Sequence, residues 1–412
     1  MRSRRLHAGS GGFGALVMMS ITVALGGLGC SSTAAPERIV LIVVDTLRRD
    51  YLGCYGAKGR TRNIDRLAEN GQLFTNAFSS FHQTTMSMGA LFTGRTPSLE
   101  SGGGRVLDWN GRNWCGLSRF ADPSGEEGCI PKSVRTLPEY LREAGYWTIG
   151  IATNQLLFRP AGFERGFDDW SQRFGRNIWT DVNQAAFEAV ARRARDKFFL
   201  YVHYMDVHDH RRGSWSYTRS VSQVDRGVGE LLGALEERAL LEDAVVILAS
   251  DHGERLKETH LTQGQAGHYG NPSFEEVLQV PLIVSPARFE DTTQPVRSED
   301  VFRLITGLAG VRSESAHALE PEELFTSEAG WRTYRQGRWK SLVSRFRGEH
   351  LLVDLVDDPG EKQDVAAENP AIVAEHAKRI ASLSRALAAS NPPPSKLTAE
   401  DQRRLRALGY LE

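Results

Sequence analysis

Arg38-Ile-Val-Leu-Ile-Val-Val44 is an unbroken run of apolar, mostly β-branched residues, and it ends at Asp45. A strand with one face in solvent would alternate polar and apolar residues, so an unbroken run indicates a strand buried on both faces of a parallel sheet. Further apolar runs follow along the chain, together with segments that have the helical spacing of apolar residues. The runs lie at 147–152, 198–203 and 244–249, and the helical segments at 137–144 and 221–240. Strands that alternate with helices predict a doubly wound α/β domain.

The chain changes character after residue 284. Three short segments with strand composition, at 331–334, 339–343 and 351–355, precede a helical stretch at 370–388, and together they predict a smaller α+β unit.

This change sets the expected division into domains. We predict a main α/β domain over 38–296, with a polar, Gly-rich insertion at 98–132, and a C-terminal α+β subdomain with antiparallel strands over 297–390. Three consecutive prolines predict a stiff linker, so 391–412 is expected to be a linker with a short terminal helix.

Charge is nearly balanced, with 50 Lys and Arg against 51 Asp and Glu in 412 residues. No global field attracts a polyanion, so we expect no nucleic-acid partner. Composition otherwise indicates an ordinary globular protein with a large core and does not point to a function.

The N-terminus has the form of an export signal. Three arginines among the first five residues form a basic start, and the apolar run at 13–28 is too short and too Gly-rich for a transmembrane helix. The run ends in Gly27-Leu28-Gly29-Cys30, which resembles a bacterial lipobox. That resemblance implies a signal peptide over 1–29, lipidation of Cys30, a tether over 30–37, and anchoring to a bacterial membrane facing the periplasm. The alternative is an ordinary cleaved signal with an incidental cysteine.

Export would place the remaining cysteines in an oxidising compartment. Cys115 and Cys129 flank a polar loop within the insertion, and we predict that they form a disulfide. Cys54 is expected to be a buried small hydrophobe rather than a reactive thiol.

Polar clusters follow three of the predicted strands. Asp45 follows the first, Asp206-Val-His208-Asp-His210 the third, and Ser250-Asp251-His252-Gly253-Glu254 the fourth. Ligands of parallel sheets bind at the carboxyl ends of the strands, so these clusters are expected to converge. Carboxylates that converge with imidazoles predict a site for a divalent metal: Zn, Mn, Ca or Mg.

A set of motifs in fixed order resembles the sulfatase family of the alkaline phosphatase superfamily. The motifs include Val43-Val-Asp-Thr-Leu-Arg48, Leu91-Phe-Thr-Gly-Arg95, His203-Tyr-Met-Asp206, Ser250-Asp-His-Gly-Glu254 and Val277-Leu-Gln-Val-Pro-Leu282. This resemblance implies an alkaline phosphatase-like fold, in which a large, mostly parallel sheet is flanked by helices and a small antiparallel C-terminal subdomain follows. It also implies metal-dependent ester hydrolysis.

The resemblance carries over to single residues. Asp45, Asp251 and His252 match metal ligands of the family. His208 matches a histidine that contacts the transferred group or protonates the leaving oxygen. His268 matches a Lys or His near the same oxygens.

The nucleophile position departs from the family pattern. Counting back from Thr93-Gly94, the pattern Cys/Ser-x-Pro-x-Arg falls on Thr84-Thr-Met-Ser-Met88, so the expected nucleophile and metal contact is Thr84. Sulfatases of the family convert this Cys or Ser to formylglycine, which is an aldehyde. Oxidation of threonine would give a ketone instead, so we expect no formylglycine here. Asn154, a predicted substrate contact, stands where sulfatases have Lys. The alternatives are that Thr85 or Ser87 is the nucleophile, or that the site is inactive.

These departures favour a phosphate mono- or diester as substrate, cleaved through Thr84 with metal activation. The first alternative is a sulfuric ester hydrolase that works without formylglycine. The second is a catalytically silent lipoprotein that binds carbohydrate or lipid. The substrate is expected to be a small-molecule, lipid or glycan ester.

A second metal is a further hypothesis. Asp206, His210 and His268 could form an Asp-His-His set like that of two-metal phosphodiesterases of the superfamily. The alternative is that His210 is a solvated loop histidine.

Overall fold

The computed structural model describes residues 35–58, 61–97, 130, 134–154, 156–157, 162–173, 178–194, 196–211, 215–262, 267–268, 273–313, 319–327 and 330–388. The predictions for Cys30, for Cys115 with Cys129, and for the unit 391–412 lie outside these residues. Within them, no helix combines the length and the apolar character that crossing a bilayer requires.

Most strands of the described residues belong to two sheets. In chain order they are β1 Arg38–Val44, β2 Gln72–Leu73, β3 Ala77–Phe78, β4 Trp147–Ala152, β5 Asp169–Gln172, β6 Phe198–Tyr204, β7 Ala244–Ser250, β8 Leu282–Ser285, β9 Val296–Arg297, β10 Glu323–Ser327, β11 Trp331–Gln336, β12 Trp339–Ser344 and β13 His350–Asp354. The helices are α1 Arg62–Glu69, α2 Thr84–Thr93, α3 Leu137–Glu143, α4 Ile178–Ala191, α5 Tyr217–Glu236, α6 Glu275–Leu278, α7 Ser298–Leu308 and α8 Pro370–Ala388.

The large sheet has seven described strands in the order β2-β8-β7-β1-β6-β4-β5. The five strands from β7 to β5 are parallel, while β8 and β2 extend the sheet with antiparallel pairing. The predicted mostly parallel sheet is therefore confirmed, with β1 at its centre.

The composition of β1 follows from helices on both faces of this sheet. Ile39, Leu41 and Val43 pack into a core with α2, α3 and α7, whereas the alternate residues pack into a second core with α1, α4 and α5. Residues 39–44 have no exposed surface. Since both faces are buried, neither set of alternating positions can be polar.

The second sheet is antiparallel, and its four described strands follow the order β10-β11-β12-β13. Phe325 and Tyr334 pack against α8 on one face, while Thr326, Thr333 and Lys340 lie on the other face. The predicted antiparallel subdomain is confirmed, although β10 was not foreseen. The predicted boundary at residue 297 falls just before α7, which packs into the core of the main domain.

Buried ion pairs hold the subdomain against the main domain. Nζ of Lys340, a fully buried residue, lies 3.0 Å from Glu275 Oε1 and 2.7 Å from Glu361 Oε1. Beside it, His260 Nε2 lies 2.6 Å from Glu276 Oε1, and His260 Nδ1 donates a hydrogen bond to Gly360 O at 3.0 Å. Two of these contacts cross the interface, the Lys340–Glu275 pair and the His260–Gly360 hydrogen bond, since His260 and Glu275 belong to the main domain and residues 340–361 to the subdomain.

Candidate active site

Three neighbouring strands bring metal-binding side chains together at one edge of the large sheet. Asp45 follows β1, Asp251 follows β7, and His203 is the second-last residue of β6. One ligand atom from each lies within 4.8 Å of the others, and all three residues are buried. The convergence predicted for the strand ends is therefore present in the structure.

The donor atoms of this group fit a divalent ion. Asp45 Oδ1, Asp251 Oδ2 and His203 Nε2 are buried and have no hydrogen-bond partner among the described residues. Buried polar atoms without partners are costly, and carboxylate and imidazole ligands suit several divalent metals. A bound cation would satisfy all three atoms.

The electrostatics of the two carboxylates also fit a cation. Burial and the neighbouring charge of Asp45 raise the pKa of Asp251 to about 8. Burial also acts to raise the pKa of Asp45, but the imidazole of His203, whose Nε2 lies 3.4 Å from Asp45 Oδ2, and the charges of His208 and His252 lower it below its ordinary value. Each of these two buried carboxylates therefore disfavours ionisation of the other, and a positive charge between them would favour the ionised form of both.

The loops after β1 and β7 are shaped to hold this group. Thr46 adopts a left-handed backbone with φ of 59°, a strained conformation for a β-branched residue, and its N–H donates to Asp251 Oδ1 at 3.1 Å. A Cβ at Gly253 would lie 2.0 Å from the carbonyl oxygen of Glu276, so only glycine permits the loop to pass α6 this closely.

His252 is oriented for coordination through Nε2. Its Nδ1 donates to the carbonyl oxygen of Gly253 at 2.9 Å, which leaves the lone pair on Nε2. That nitrogen lies 3.5 Å from Asp251 Oδ2. Asp45, Asp251 and His252 are thus gathered as predicted, with His203 beside them.

Thr84 lies at the centre of the pocket, at the first residue of α2. Its Oγ1 donates to Asp45 Oδ2 at 3.3 Å and lies 3.4 Å from His252 Nε2. Asn154 Nδ2 donates to Asp45 Oδ2 at 2.8 Å and to Thr84 Oγ1 at 3.2 Å. The start of a helix also favours negative charge, because its first N–H groups are not used within the helix.

The two alternative nucleophiles have other surroundings. Thr85 Oγ1 is buried with no hydrogen-bond partner in the described part of the chain. Ser87 Oγ donates to the carbonyl oxygen of Asp251 and lies near Ser79 and Ser298, which indicates a structural role. Among the three hydroxyl groups, Thr84 is the one in contact with Asp45 and His252.

Histidines form one wall of the pocket. The ring centroid of His268 lies 4.5 Å from the ring centroid of His252 and 5.7 Å from that of His208. Burial acts to lower the pKa of His208, but its hydrogen bond to Asp209 and the charge of Asp45 raise it to about 9, whereas burial lowers the pKa of His268 to about 4. These surroundings favour the charged form of His208 and the neutral form of His268, which is the difference an acid–base pair requires.

Three residues of this pocket were not foreseen from the sequence. They are His203, Glu254 and His82. Glu254 Oε2 lies 3.1 Å from His268 Nδ1, and His82 Nδ1 lies 3.4 Å from Ser273 Oγ. His203 belongs to one of the family motifs, but it lies within β6 and not after the strand end, where the ligands were expected. Its parallel register with Val43, which puts His203 level with the end of β1, is visible only in the structure.

The hypothesis of a second metal finds no supporting cluster here. Within the described residues, the other group of potential ligands is His260, Glu276 and Glu361 at the domain interface. Asp206 Oδ1 instead accepts from the Trp179 N–H at 3.3 Å, and His210 Nδ1 donates to Val207 O at 2.9 Å. His268 contacts Glu254, as described above.

Comparison with known proteins adds to this geometry. The family model described as Sulfatase matches residues 37–311. N-acetylgalactosamine-6-sulfatase of Homo sapiens is 27% identical over 389 residues, which cover 79% of this chain and 71% of the relative. Iduronate 2-sulfatase of Homo sapiens is 33% identical over 156 residues, which cover 37% of this chain and 24% of the relative.

Solved structures share the fold. The structure of Ps i-CgsB in complex with k-i-k-neocarrahexaose has a TM-score of 0.66 at 19% identity, and the match covers 91% of this chain and 97% of that one. A 2-O GAG sulfatase has a TM-score of 0.63 at 16% identity, with 85% and 92% covered.

Proposed function

The chain belongs to the sulfatase family and is an ester hydrolase, and from this we propose that it hydrolyses a sulfate ester carried by a glycan, in the pocket around Thr84. The observation that carries the choice of sulfate is the relationship to N-acetylgalactosamine-6-sulfatase along most of the chain. The comparisons thus favour sulfate over the phosphate ester that the threonine had suggested.

The residues of the pocket have distinct roles in this proposal. A divalent ion held by Asp45, Asp251 and His252, with His203 beside them, would supply positive charge that favours the alkoxide form of a hydroxyl and withdraws charge from the ester. Thr84 is not oxidised; its hydroxyl loses its proton to solvent, and Oγ1 attacks sulfur while the bond between sulfur and the sugar oxygen breaks. Asn154 Nδ2 is close enough to Thr84 Oγ1 to stabilise negative charge that develops there.

Proton transfer falls to the two histidines of opposite character. His208, charged at neutral pH, donates a proton to the oxygen of the departing sugar alcohol. His268, neutral at the same pH, accepts a proton from the water that then attacks the sulfur of the sulfated threonine. That attack breaks the bond between sulfur and Thr84 Oγ1 and releases sulfate, and Oγ1 takes up a proton from solvent, which restores the hydroxyl.

A phosphate ester is the second candidate, and two residues favour it. Threonine replaces the oxidisable Cys or Ser, and Asn154 replaces a Lys of the sulfatase pattern. Sulfatases with formylglycine expel sulfate from the hydrated aldehyde, which threonine cannot form. A phosphothreonine needs no such group, because water can hydrolyse it by in-line attack. A silent binding protein is disfavoured, because the group Asp45, His203 and Asp251 keeps three ligands together.

The test compares matched substrates on one preparation. The protein is loaded separately with Zn, Mn, Ca and Mg, and turnover is measured on an aryl sulfate, the matching aryl phosphate monoester and diester, and a sulfated N-acetylgalactosamine. We expect turnover of a sulfate ester to exceed that of both phosphates with at least one ion. Faster turnover of either phosphate would favour the second candidate, and metal binding without any turnover would favour the binding protein.

A further inference from the structure

The turn that follows β1 is held by side chains from two different parts of the main domain. Thr46, Leu47 and Arg48 present three consecutive backbone N–H groups in this turn. The N–H of Thr46 donates to Asp251 Oδ1 at 3.1 Å, and the N–H of Leu47 donates to Ser250 Oγ at 3.0 Å. Both of these acceptors come from the end of β7, whereas the acceptor for the third N–H comes from a helix.

Tyr217, the first residue of α5, supplies this third contact. Its hydroxyl accepts from the Arg48 N–H at 2.9 Å and donates to the carbonyl oxygen of Thr46 at 2.5 Å. Thr46 and Arg48 are buried, and within the described residues neither of these two backbone groups has another hydrogen-bond partner. Because buried backbone groups without partners are costly, the conformation of the turn depends on this one hydroxyl.

The ring of Tyr217 is fixed independently of its hydroxyl. Ser216 is the N-cap of α5, and its Oγ accepts from the Arg219 N–H at 3.3 Å. The ring packs edge to face against Tyr51, at 4.7 Å between ring centroids, and against His210, at 5.2 Å. A phenylalanine would keep these ring contacts, so Tyr217→Phe removes the two hydrogen bonds and retains the packing.

The turn needs an external contact because Thr46 is strained. Its left-handed backbone, with φ of 59°, is unfavourable for a β-branched residue and persists only where the surroundings hold it. Thr46 directly follows one proposed metal ligand, Asp45, and its N–H orients another, Asp251. Relaxation of this one residue would therefore displace both carboxylates together.

We propose that Tyr217 is a positioning residue for the metal centre. Through its hydroxyl it holds Thr46 in the left-handed conformation, and this conformation sets the separation of the carboxylates of Asp45 and Asp251. Both hydrogen bonds of the hydroxyl go to the backbone of the turn, so its effect on the carboxylates passes through Thr46. The inference rests on the metal centre of the proposed function and not on which ester is cleaved.

Ion affinity tests this role without any substrate. Metal-free protein is titrated calorimetrically with Zn, Mn, Ca and Mg, and variants are compared with the ion that wild type binds most tightly. We expect Tyr217→Phe to weaken the affinity about tenfold, a loss of about 1.4 kcal/mol.

Tyr55→Phe is the matched control. The Tyr55 hydroxyl also joins two backbone groups of the main domain, since it accepts from the Leu282 N–H and donates to the carbonyl oxygen of Phe74, both at 2.9 Å. Tyr55→Phe should lower the unfolding midpoint of the metal-free protein about as much as Tyr217→Phe does, because each loses equivalent hydrogen bonds. It should leave ion affinity unchanged.

Thr46→Gly separates positioning from a general loss of stability. Glycine adopts the left-handed backbone without strain, so the turn then depends less on Tyr217. In the Thr46→Gly background, Tyr217→Phe should weaken ion affinity by less than about threefold, because the two changes act on the same strain and are not additive. A Tyr217→Phe protein that fails to fold, while the double variant folds and binds the ion, would support the same role.

Three results would overturn the inference. They are ion affinity that Tyr217→Phe leaves unchanged, an equal loss of affinity in Tyr55→Phe, and a tenfold loss that Thr46→Gly does not reduce. Wild-type protein that binds none of the four ions would overturn the metal centre as well. Failure of the proposed ester looks different: phosphate turnover exceeds sulfate turnover, yet Tyr217→Phe still binds the ion more weakly than wild type.

Discussion

Thr84 Oγ1 is in contact with side chains from three separate parts of the main domain. Asp45 follows the central strand, His252 follows β7, and Asn154 follows β4. A hydroxyl in this position is oriented by its neighbours before any substrate binds. Such preorganisation is a large part of what an active site contributes to catalysis.

Replacing Thr84 with Ala should therefore abolish turnover. If the hydroxyl is the nucleophile, we expect the rate to fall by roughly three decades or more. Thr84→Ser keeps the hydroxyl and should retain a measurable part of the rate. Thr85→Ala, in the next residue of the same helix, is the control and should lose little. Equal rates for Thr84→Ala and wild type would exclude nucleophilic catalysis at this position.

The metal group gives a second prediction at the residue scale. Wild-type protein should bind one divalent ion per chain after dialysis, and addition of that ion should raise the thermal unfolding midpoint. Asp45→Asn and Asp251→Asn should remove both effects, because each deletes a buried negative ligand. His203→Gln should weaken metal affinity about tenfold or more, whether the imidazole coordinates the ion or orients a ligand.

Metal analysis and calorimetry measure these effects without any substrate. Glu258→Gln changes a carboxylate outside the group and is the control. Full metal content in the Asp45→Asn and Asp251→Asn proteins would show that the ion binds elsewhere.

Among the elements, those buried on both faces were the easiest to predict. The unbroken apolar run of β1 could only suit the centre of a sheet, and the structure confirms it. β10 was missed because Glu323 and Thr326 give it a polar sequence. Their partners become visible only in three dimensions, since Glu323 pairs with Arg379 and Tyr334, and Thr326 with Ser273. His203 was missed for the same reason, because its role comes from neighbouring strands.

The ion pair between His260 and Glu276 of α6 should make stability depend on pH. Burial acts to lower the pKa of His260, but its hydrogen bond to Glu276 and the charge of that carboxylate raise it above its ordinary value. A raised pKa in the folded state adds stability below the ordinary pKa of about 6.5, and that stability is lost as the pH rises through the raised value. Wild-type protein should therefore exceed Glu276→Gln in unfolding midpoint at about pH 6, and the difference should shrink towards pH 9.

Thermal unfolding across this pH range measures the effect. His260→Gln should show the same flattened profile as Glu276→Gln, since either change removes the ion pair. Glu236→Gln, at the end of α5, is the control for loss of a carboxylate. A difference between wild type and Glu276→Gln that stays constant from pH 6 to pH 9 would contradict the assignment of the proton to His260.

At the scale of the whole molecule, we propose that the protein is exported and anchored to a membrane through lipid on Cys30. The support is the basic start, the apolar run and the Gly-Cys junction of the sequence. Wild-type protein should fractionate with membranes, and Cys30→Ala should not. Cys54→Ala, which changes a cysteine of the main domain, is the control. Recovery of Cys30→Ala in the same membrane fraction as wild type would refute the anchor.

The position of β1 has a consequence for synthesis. It is the first strand of the described residues, yet it pairs with β6 and β7, whose first residues are Phe198 and Ala244. At typical elongation rates, about 10 s or longer passes between the synthesis of β1 and the synthesis of β6, its first strand partner. During that time six apolar side chains and both backbone edges are open to other chains, which is the condition for aggregation. The strand order therefore leaves residues 38–44 without one or both strand partners until the ribosome has passed residue 250.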